Sequence, residues 1–359
     1  VYVMRVILLV DMDYFYAACE ELRHPDIIGK AVVVGADPKE GSGRGVVSTA
    51  NYEARKFGIH SGMPISTAYR LKSDAVFLRV DEAYYEEISK KVMAIIKEGA
   101  SKFEQVSIDE AFIDISGVVS SYEEAVVYAQ RLKERIATEL RLPCSIGISN
   151  SKVVAKMACE AAKPNGIKLV KPEDAKDFLS PMPVEKLYGV GKKTAERLMQ
   201  LGFSKIGDIA DAKPMQLFDA FGAYGVEIYR YANGIDESEV EENYEVKSIG
   251  RERTFEYDTN DSKKIAGAIK AMAEEVADDV RRQGLSFKTV TLKMRYSDFS
   301  ERLKSRSIGY STNSSEEIAR SATDMFEKYA DKARAIRKIG VRVSGLIKYS
   351  GQKKIADYI

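Results

Sequence analysis

The sequence predicts an α+β protein built from several domains, on three observations. Up to about residue 170, apolar runs of four to six residues alternate with longer segments whose apolar residues recur at helical spacing. From Pro172 to about Asp236 the pattern is helical only, broken at Gly189, Gly191, Gly202 and Gly222. After an acidic stretch with Glu239, Glu241, Glu242 and Glu245, a strand–helix–strand–helix–strand pattern returns at Lys247. A chain of 359 residues is long enough for two or three such units.

Taken in order, Arg5–Val10 is the unbroken apolar run of a buried strand, ending at Asp11-Met12-Asp13. Tyr14–Leu22 reads as a helix, Ala31–Gly35 as a strand, 37–45 as a Gly-rich loop and Val46–Thr49 as a returning strand. Asn51–Phe57, Ser66–Leu71 and Ala83–Ile96 read as helices. Phe103–Ile115 alternates around Ser107-Ile108-Asp109-Glu110, a hairpin with carboxylates at its turn. Tyr122–Leu140 and Lys152–Ala162 are helices flanking the strand Cys144–Ile148, and Ile167–Val170 is a last short strand. In the C-terminal part the clearest strand is Thr289–Tyr296, with Val290, Leu292 and Met294 on one face and Thr291, Lys293 and Arg295 on the other.

The formal charge is only +1, but it is unevenly spread. Residues 247–342 hold 21 basic and 15 acidic side chains, and 346–359 hold three Lys and one Asp, which leaves −7 for residues 1–246. An acidic body joined to a basic C-terminal unit points toward a polyanionic partner. No apolar run approaches the ~18 residues of a membrane helix and no signal peptide is visible, so no membrane partner is expected. Cys19, Cys144 and Cys159 form no CxxC pair, which suits free thiols and an intracellular, cytoplasmic setting. With only His24 and His60, acid, base or metal chemistry must rest on carboxylates, Lys, Arg and Tyr.

If the first strand and the hairpin share a sheet, Asp11, Asp109 and Glu110 converge. Two carboxylates ~4 Å apart repel by about 4 kcal/mol at an effective dielectric of ~20, so three need cations. Hard oxygen donors favour Mg²⁺ or Mn²⁺, and a pair of such ions suits phosphoryl transfer. Spacing alone does not choose between Asp11 and Asp13, which alternation puts on one strand face, nor does it exclude unrelated strand-end carboxylates. Gly191-Lys192-Lys193-Thr194 lacks the preceding strand and the earlier Gly of a nucleotide P-loop.

The residues from Asp11 to Glu20 (DMDYFYAACE) resemble the opening motif of Y-family (translesion) DNA polymerases of the bacterial and archaeal DNA polymerase IV type. Ser48–Ile59, Ser107–Ala111, Ala162–Gly166 and Lys247–Gly250 resemble four further motifs of that family, in family order. The resemblance implies a right hand: a ferredoxin-like palm (1–14 and 81–170), small fingers (15–80), an all-α helix-hairpin-helix thumb (171–237), a linker (238–247), an α/β little finger (248–345) and a clamp-binding tail (346–359). It implies Asp11, Asp109, Glu110 and the Met12 carbonyl as ligands of two Mg²⁺ ions, with Mn²⁺ a substitute and Asp13 structural. Tyr52, Arg55, Lys163 and Thr49, with the backbone at Tyr14 and Phe15, would hold the deoxynucleoside triphosphate. Tyr16 would be the steric gate against a 2′-hydroxyl.

The implied activity is template-directed, low-fidelity synthesis past lesions by a monomer, releasing pyrophosphate, with no length left for a proofreading exonuclease. Primer–template DNA would be held by Gly189, Gly191, Lys192 and Lys193 of the helix-hairpin-helix. Lys293, Arg295, Arg306, Arg337, Lys338 and Arg342 would track phosphates in the little finger. Gln352, Ile355, Tyr358 and Ile359 resemble a sliding-clamp-binding peptide. A silent DNA-binding scaffold and a palm-like cyclase are the competing expectations; the intact carboxylates oppose the first, and the helix-hairpin-helix with the basic unit opposes the second.

Overall fold

The first strand, β1 (Ile7–Asp11), is apolar without alternation because both its faces are covered. Leu8 and Val10 enter a core with the helices α4 (Glu82–Lys97) and α5 (Tyr122–Leu140), whereas Ile7 and Leu9 meet Ala155 and Cys159 of α6 (Lys152–Ala162). β1 is the middle of a five-stranded sheet, flanked by β6 (Glu110–Asp114) and β7 (Ser145–Ser149), both antiparallel to it. β5 (Lys102–Gln105) and β8 (Ile167–Leu169) close the two edges. α6 lies directly on β7 at Gly147, where a Cβ would stand 2.0 Å from the Ala155 carbonyl oxygen. The structure, a computed structural model, describes residues 4–242 and 245–349, and the chain divides into two compact units at residue 244.

Between β1 and α4 the first unit holds α1 (Phe15–Arg23) and a small sheet of order β3-β2-β4. Its strands are β2 (Val32–Gly35), β3 (Val47–Ala50) and β4 (Val76–Arg79), and it carries α2 (Tyr52–Arg55) and α3 (Ile65–Leu71). The sequence pattern does not show β4, a half-buried four-residue strand. The helical segment expected after residue 172 comprises α7 (Ala175–Leu179), α8 (Lys192–Gln200), α9 (Ile206–Ala210), α10 (Pro214–Phe221) and α11 (Ala223–Ala232). Its core includes Leu179, Leu198, Ile206 and Ile228 together with Val153, Val154 and Met157 of α6. α6 therefore serves the sheet on one side and the helical segment on the other.

The stretch after Asp236 is expected as a linker, yet it packs on the first unit. Val240 is buried on the α6-covered face of the five-stranded sheet among Ile7, Leu9 and Phe112. Arg5 donates to the Asp236 and Ser238 carbonyls, Lys102 pairs with Glu239, and the Glu241 N–H donates to Glu104. Asp236 Oδ2 accepts the Val153 N–H at the start of α6. Residues 236–241 are thus a strap on the first unit. Tyr244 lies outside the described residues.

The second unit runs β9 (Ser248–Thr259), α12 (Ser262–Arg282), β10 (Leu285–Tyr296), β11 (Glu301–Thr312), α13 (Ser315–Tyr329), β12 (Ile336–Ser344) and β13 (Ile347–Lys348). The sheet order is β11-β10-β12-β9, antiparallel throughout. Two strands, β10 and β11, stand where the pattern predicted one between the helices. β11 is an edge strand with charged residues along it, so it lacks the apolar alternation that marks β10. α12 lays Ile265, Ile269, Met272, Val276 and Val280 on one face of this sheet, and no described helix of this unit covers the opposite face, called the open face below. β13 pairs with Leu285 and Ser286, so the tail expected from residue 346 begins as sheet. Gln352, Ile355, Tyr358 and Ile359 lie outside the described residues.

Cys19, Cys144 and Cys159 are free and fully buried, all within the first unit. No described helix is long and apolar enough to cross a membrane.

Candidate active site

The register of the central strands assembles the carboxylates. Asp11 is directly opposite Glu110 across the β1–β6 pair, on the face that carries Leu9, Phe112 and α6. The Met12 N–H donates to the Asp109 carbonyl at 3.0 Å, which holds the hairpin turn against the end of β1. Ser89 of α4 donates to the Ile108 carbonyl, and Ser107 Oγ donates to Asp109 Oδ1. Three acids from two elements therefore meet at one end of the sheet.

Asp13 is not one of them. β1 ends at Asp11, and Asp13 takes a left-handed backbone with φ 57°, so strand alternation no longer applies to it. Its carboxylate accepts from Ser145 Oγ at 2.7 Å and from the Asn165 N–H at 3.0 Å, and Tyr52 donates to it at 3.4 Å. It ties β7, the loop after α6 and α2 to the site.

α6 supplies the counter-charges. Lys163 Nζ is 2.7 Å from Asp11 Oδ2 and 2.7 Å from Glu160. Lys156 Nζ is 2.7 Å from Glu110 Oε2, and Lys152 is paired with Glu104 at 2.7 Å. Lys163 is thus in the site, bound to a carboxylate. Lys156 was not read from the sequence; its signal is the i, i+4 spacing of Lys152 and Lys156 on one stripe of α6, with Lys163 just past the helix end. Burial pushes Asp11 up to about 6, Lys163 works against this, and the charge of Asp109 adds to it. Burial alone would lower the Lys163 ammonium, but Asp11 and Glu160 outweigh it and hold it above its ordinary value.

Among the described residues no group of three acidic, His or Cys side chains stands arranged to hold an ion. Ser107 and the two lysines satisfy the acids instead. The donor set nonetheless fits a hard divalent cation: it is all carboxylate, it is partly buried, and burial raises Asp11 even with Lys163 beside it. Burial pushes the nearby Cys144 thiol up to about 12 and Cys159 higher still, so neither offers a thiolate.

The nucleotide candidates surround this centre. Phe15 is fully buried, so only its backbone, at the start of α1, is available. Tyr14 donates to Glu21 at 3.3 Å and meets the Tyr52 ring edge-on at 5.4 Å. Tyr16 is half-buried and stacks on Tyr85 at 4.3 Å and 18°. Tyr85 is locked by its hydroxyl, which donates to the buried Glu20 at 2.7 Å. Arg55 donates from Nε to the Ala50 carbonyl at 2.9 Å, and its guanidinium lies 4.8 Å from the Tyr52 ring centroid. No carboxylate pairs with it among the described residues. Burial and Asp13 push Tyr52 up to about 12, which keeps it a neutral donor. Thr49 is on β3 opposite Val34.

The remaining candidates separate. Gly189 has φ +87° and Gly191 caps α8, whose first residues Lys192 and Lys193 are exposed. In the second unit Lys293, Arg295, Lys338 and Arg342 share the open sheet face. Arg306 does not: it is opposite Val290, on the helix-covered side, and pairs with Asp324 of α13 at 2.8 Å. Arg337 also falls outside the group; beside a register shift in β12, it lies over the Phe299 ring at 4.5 Å and near Asp258 at 3.9 Å.

A sheet with paired acids at one end, a small inserted sheet, a helical segment and a separate βαββαβ unit are the parts of a nucleotide polymerase. The impB/mucB/samB family model matches residues 10–160, the model of that family's C-terminal domain matches 246–356, and its helix-hairpin-helix model matches 172–203. The chain belongs to the Y-family of DNA polymerases. It is similar to DNA polymerase IV 2 of Methanosarcina mazei, 41% identical over 95% of this chain and 92% of that protein. It is similar also to DNA polymerase IV of Streptococcus mutans, 40% identical over 95% and 92%. Among solved structures, a Y-family DNA polymerase chimera built on Dbh has TM-score 0.87 and 30% identity, covering 95% of this chain and 99% of that one. DinB from Sulfolobus solfataricus has TM-score 0.62 and 29% identity, covering 94% and 98%.

Proposed function

We propose that this chain is a low-fidelity, template-directed DNA polymerase that extends a primer past lesions. The observation that carries this is the register pairing of Asp11 with Glu110 beside Asp109, with Lys156 and Lys163 balancing them. Asp11, Asp109, Glu110 and the Met12 carbonyl would hold Mg²⁺, which supplies charge neutralisation for phosphoryl transfer when bound. Mg²⁺ would then take over the neutralising role that Lys163 has at Asp11.

The chain's own residues position the substrates. Lys163, released from Asp11, faces the triphosphate with Arg55, whose planar fork matches phosphate oxygens, and with the Tyr52 hydroxyl. The start of α1 adds unpaired backbone N–H groups. Tyr16, fixed on Tyr85, presents its ring to the sugar and leaves no space for a 2′-hydroxyl. The primer 3′-oxygen attacks the α-phosphorus, the bond to the leaving pyrophosphate breaks, and the hydroxyl proton passes to solvent or a site carboxylate. Gly189, Gly191, Lys192 and Lys193, with the open face of the second unit, hold the duplex backbone. The tail residues Gln352, Ile355, Tyr358 and Ile359 would dock on a sliding clamp.

Primer extension with Mg²⁺ on intact and abasic templates tests this. Wild type extends on both. Asp109→Ala and Glu110→Ala lose extension by at least a thousandfold while binding DNA normally. Extension at the wild-type rate by either variant would overturn the assignment.

A further inference from the structure

The open face of the C-terminal sheet can be read row by row from its strand register. The central row is Glu252 on β9, Gly340 on β12, Lys293 on β10 and Leu303 on β11. The rows beside it bring Lys338, Arg295 and Glu301 together on one side, and Gly250, Arg342 and Thr291 on the other. Gly250 and Gly340 are among the residues lining a shallow groove of about 280 Å³. At Gly340 a Cβ would stand 2.8 Å from Glu252 Cγ. The missing side chain lets Glu252 cross β12 and reach Lys293 on β10, two strands away.

The cations on this face are consequently not free. Glu252 bridges Lys293, at 3.1 Å, and Lys338. Glu301 bridges Arg295 and, at 3.4 Å, Lys293. Arg342 is the one of the four that has no acid partner among the described residues. Partial burial opposes ionisation of Glu252, but Lys338 and Lys293 outweigh it and hold its carboxyl below the ordinary range. A carboxylate and a phosphate present the same kind of oxygen to the same ammonium groups, so the two compete.

We propose that Glu252 is a built-in competitor of DNA phosphate: it occupies Lys293 and Lys338 until a phosphate displaces it, and so limits how tightly the C-terminal unit grips a duplex. The proposal rests on the DNA-holding role given to this face above. Each displaced surface pair costs a small factor in affinity, and freeing two lysines at once is worth roughly 3- to 10-fold.

The test uses the full chain, a fluorescently labelled primer–template duplex and anisotropy at moderate salt. Glu252→Gln should bind about 3- to 10-fold tighter, dissociate more slowly and make longer products per binding event. The exposed Glu274 of α12, on the other layer of the unit, controls for net charge; Glu274→Gln should change binding less than twofold. Lys338→Ala should weaken binding. If Lys338→Ala weakens it while Glu252→Gln matches Glu274→Gln or binds more weakly, the competitor role is wrong and the DNA face stands. If neither Lys338→Ala nor Glu252→Gln moves binding, the DNA face itself is wrong.

Discussion

Replacing Asp11 with Asn should stabilise the metal-free protein while destroying its activity. In the folded chain the Asp11 carboxyl is raised from 3.8 to about 6, chiefly by burial. The shift is roughly two units at about 1.4 kcal/mol each, so the ionised group costs folding about 3 kcal/mol at neutral pH. The folded state holds the proton more tightly than the unfolded state, so stability rises as pH falls from about 6 toward 3.8. Asn mimics the protonated acid and feels no such penalty. In EDTA at pH 7.5, Asp11→Asn should therefore be about 2–3 kcal/mol more stable in the first unit's unfolding transition. About half of this difference should survive at pH 5, and it should vanish below the ordinary carboxylate range. Calorimetry of both proteins between pH 4.5 and 8 measures this, with other titrations cancelling in the difference. Magnesium at pH 7.5 should raise the wild-type midpoint and leave the variant unmoved. A stability difference that is flat across the pH range would refute the burial argument.

Tyr16→Ala should admit ribonucleotides by at least a hundredfold in relative incorporation, measured by single-nucleotide insertion; unchanged sugar discrimination would remove the steric-gate role. It should also leave Tyr85 without its stacking partner, at a cost of about 1 kcal/mol in stability. Val240→Ala should destabilise the first unit by about 2 kcal/mol, whereas Glu242→Ala, exposed on the same stretch, should stay within about 0.5 kcal/mol in denaturant melts. Equal effects of the two substitutions would mean that the strap does not hold.

Most elements were legible because burial on two faces, helical spacing and punctuating glycines leave strong marks. The failures have physical causes. β11 is an edge strand with an open face, so charges intrude on both sides of its alternation. Asp13 defeats face counting because the strand ends at Asp11 and Asp13 itself takes a left-handed backbone. Val240 was hidden by its neighbours: one apolar residue among Glu239, Glu241 and Glu242 reads as solvent-exposed, yet one buried residue suffices to plug a sheet face. At the site, the family resemblance and not the spacing singled out Asp11, Asp109 and Glu110; the strand register sets Asp11 opposite Glu110, with Asp109 at the adjoining turn. Local sequence did not show what neutralises them, because Lys156 and Lys163 reach the acids only through the packing of α6 on Gly147. Arg306 and Arg337 were grouped with the other cations by charge alone, and the face a strand residue takes follows from register rather than charge.

The three cysteines give the protein an internal clock. All are buried beside the sheet that carries the acids, with thiols pushed far from ionisation, and none lies in the C-terminal unit. A thiol reagent added to the native chain therefore times the opening of the polymerase sheet and is blind to unfolding elsewhere. The same silence means that a single cysteine placed on the open face of the second unit can be labelled without first removing the native three.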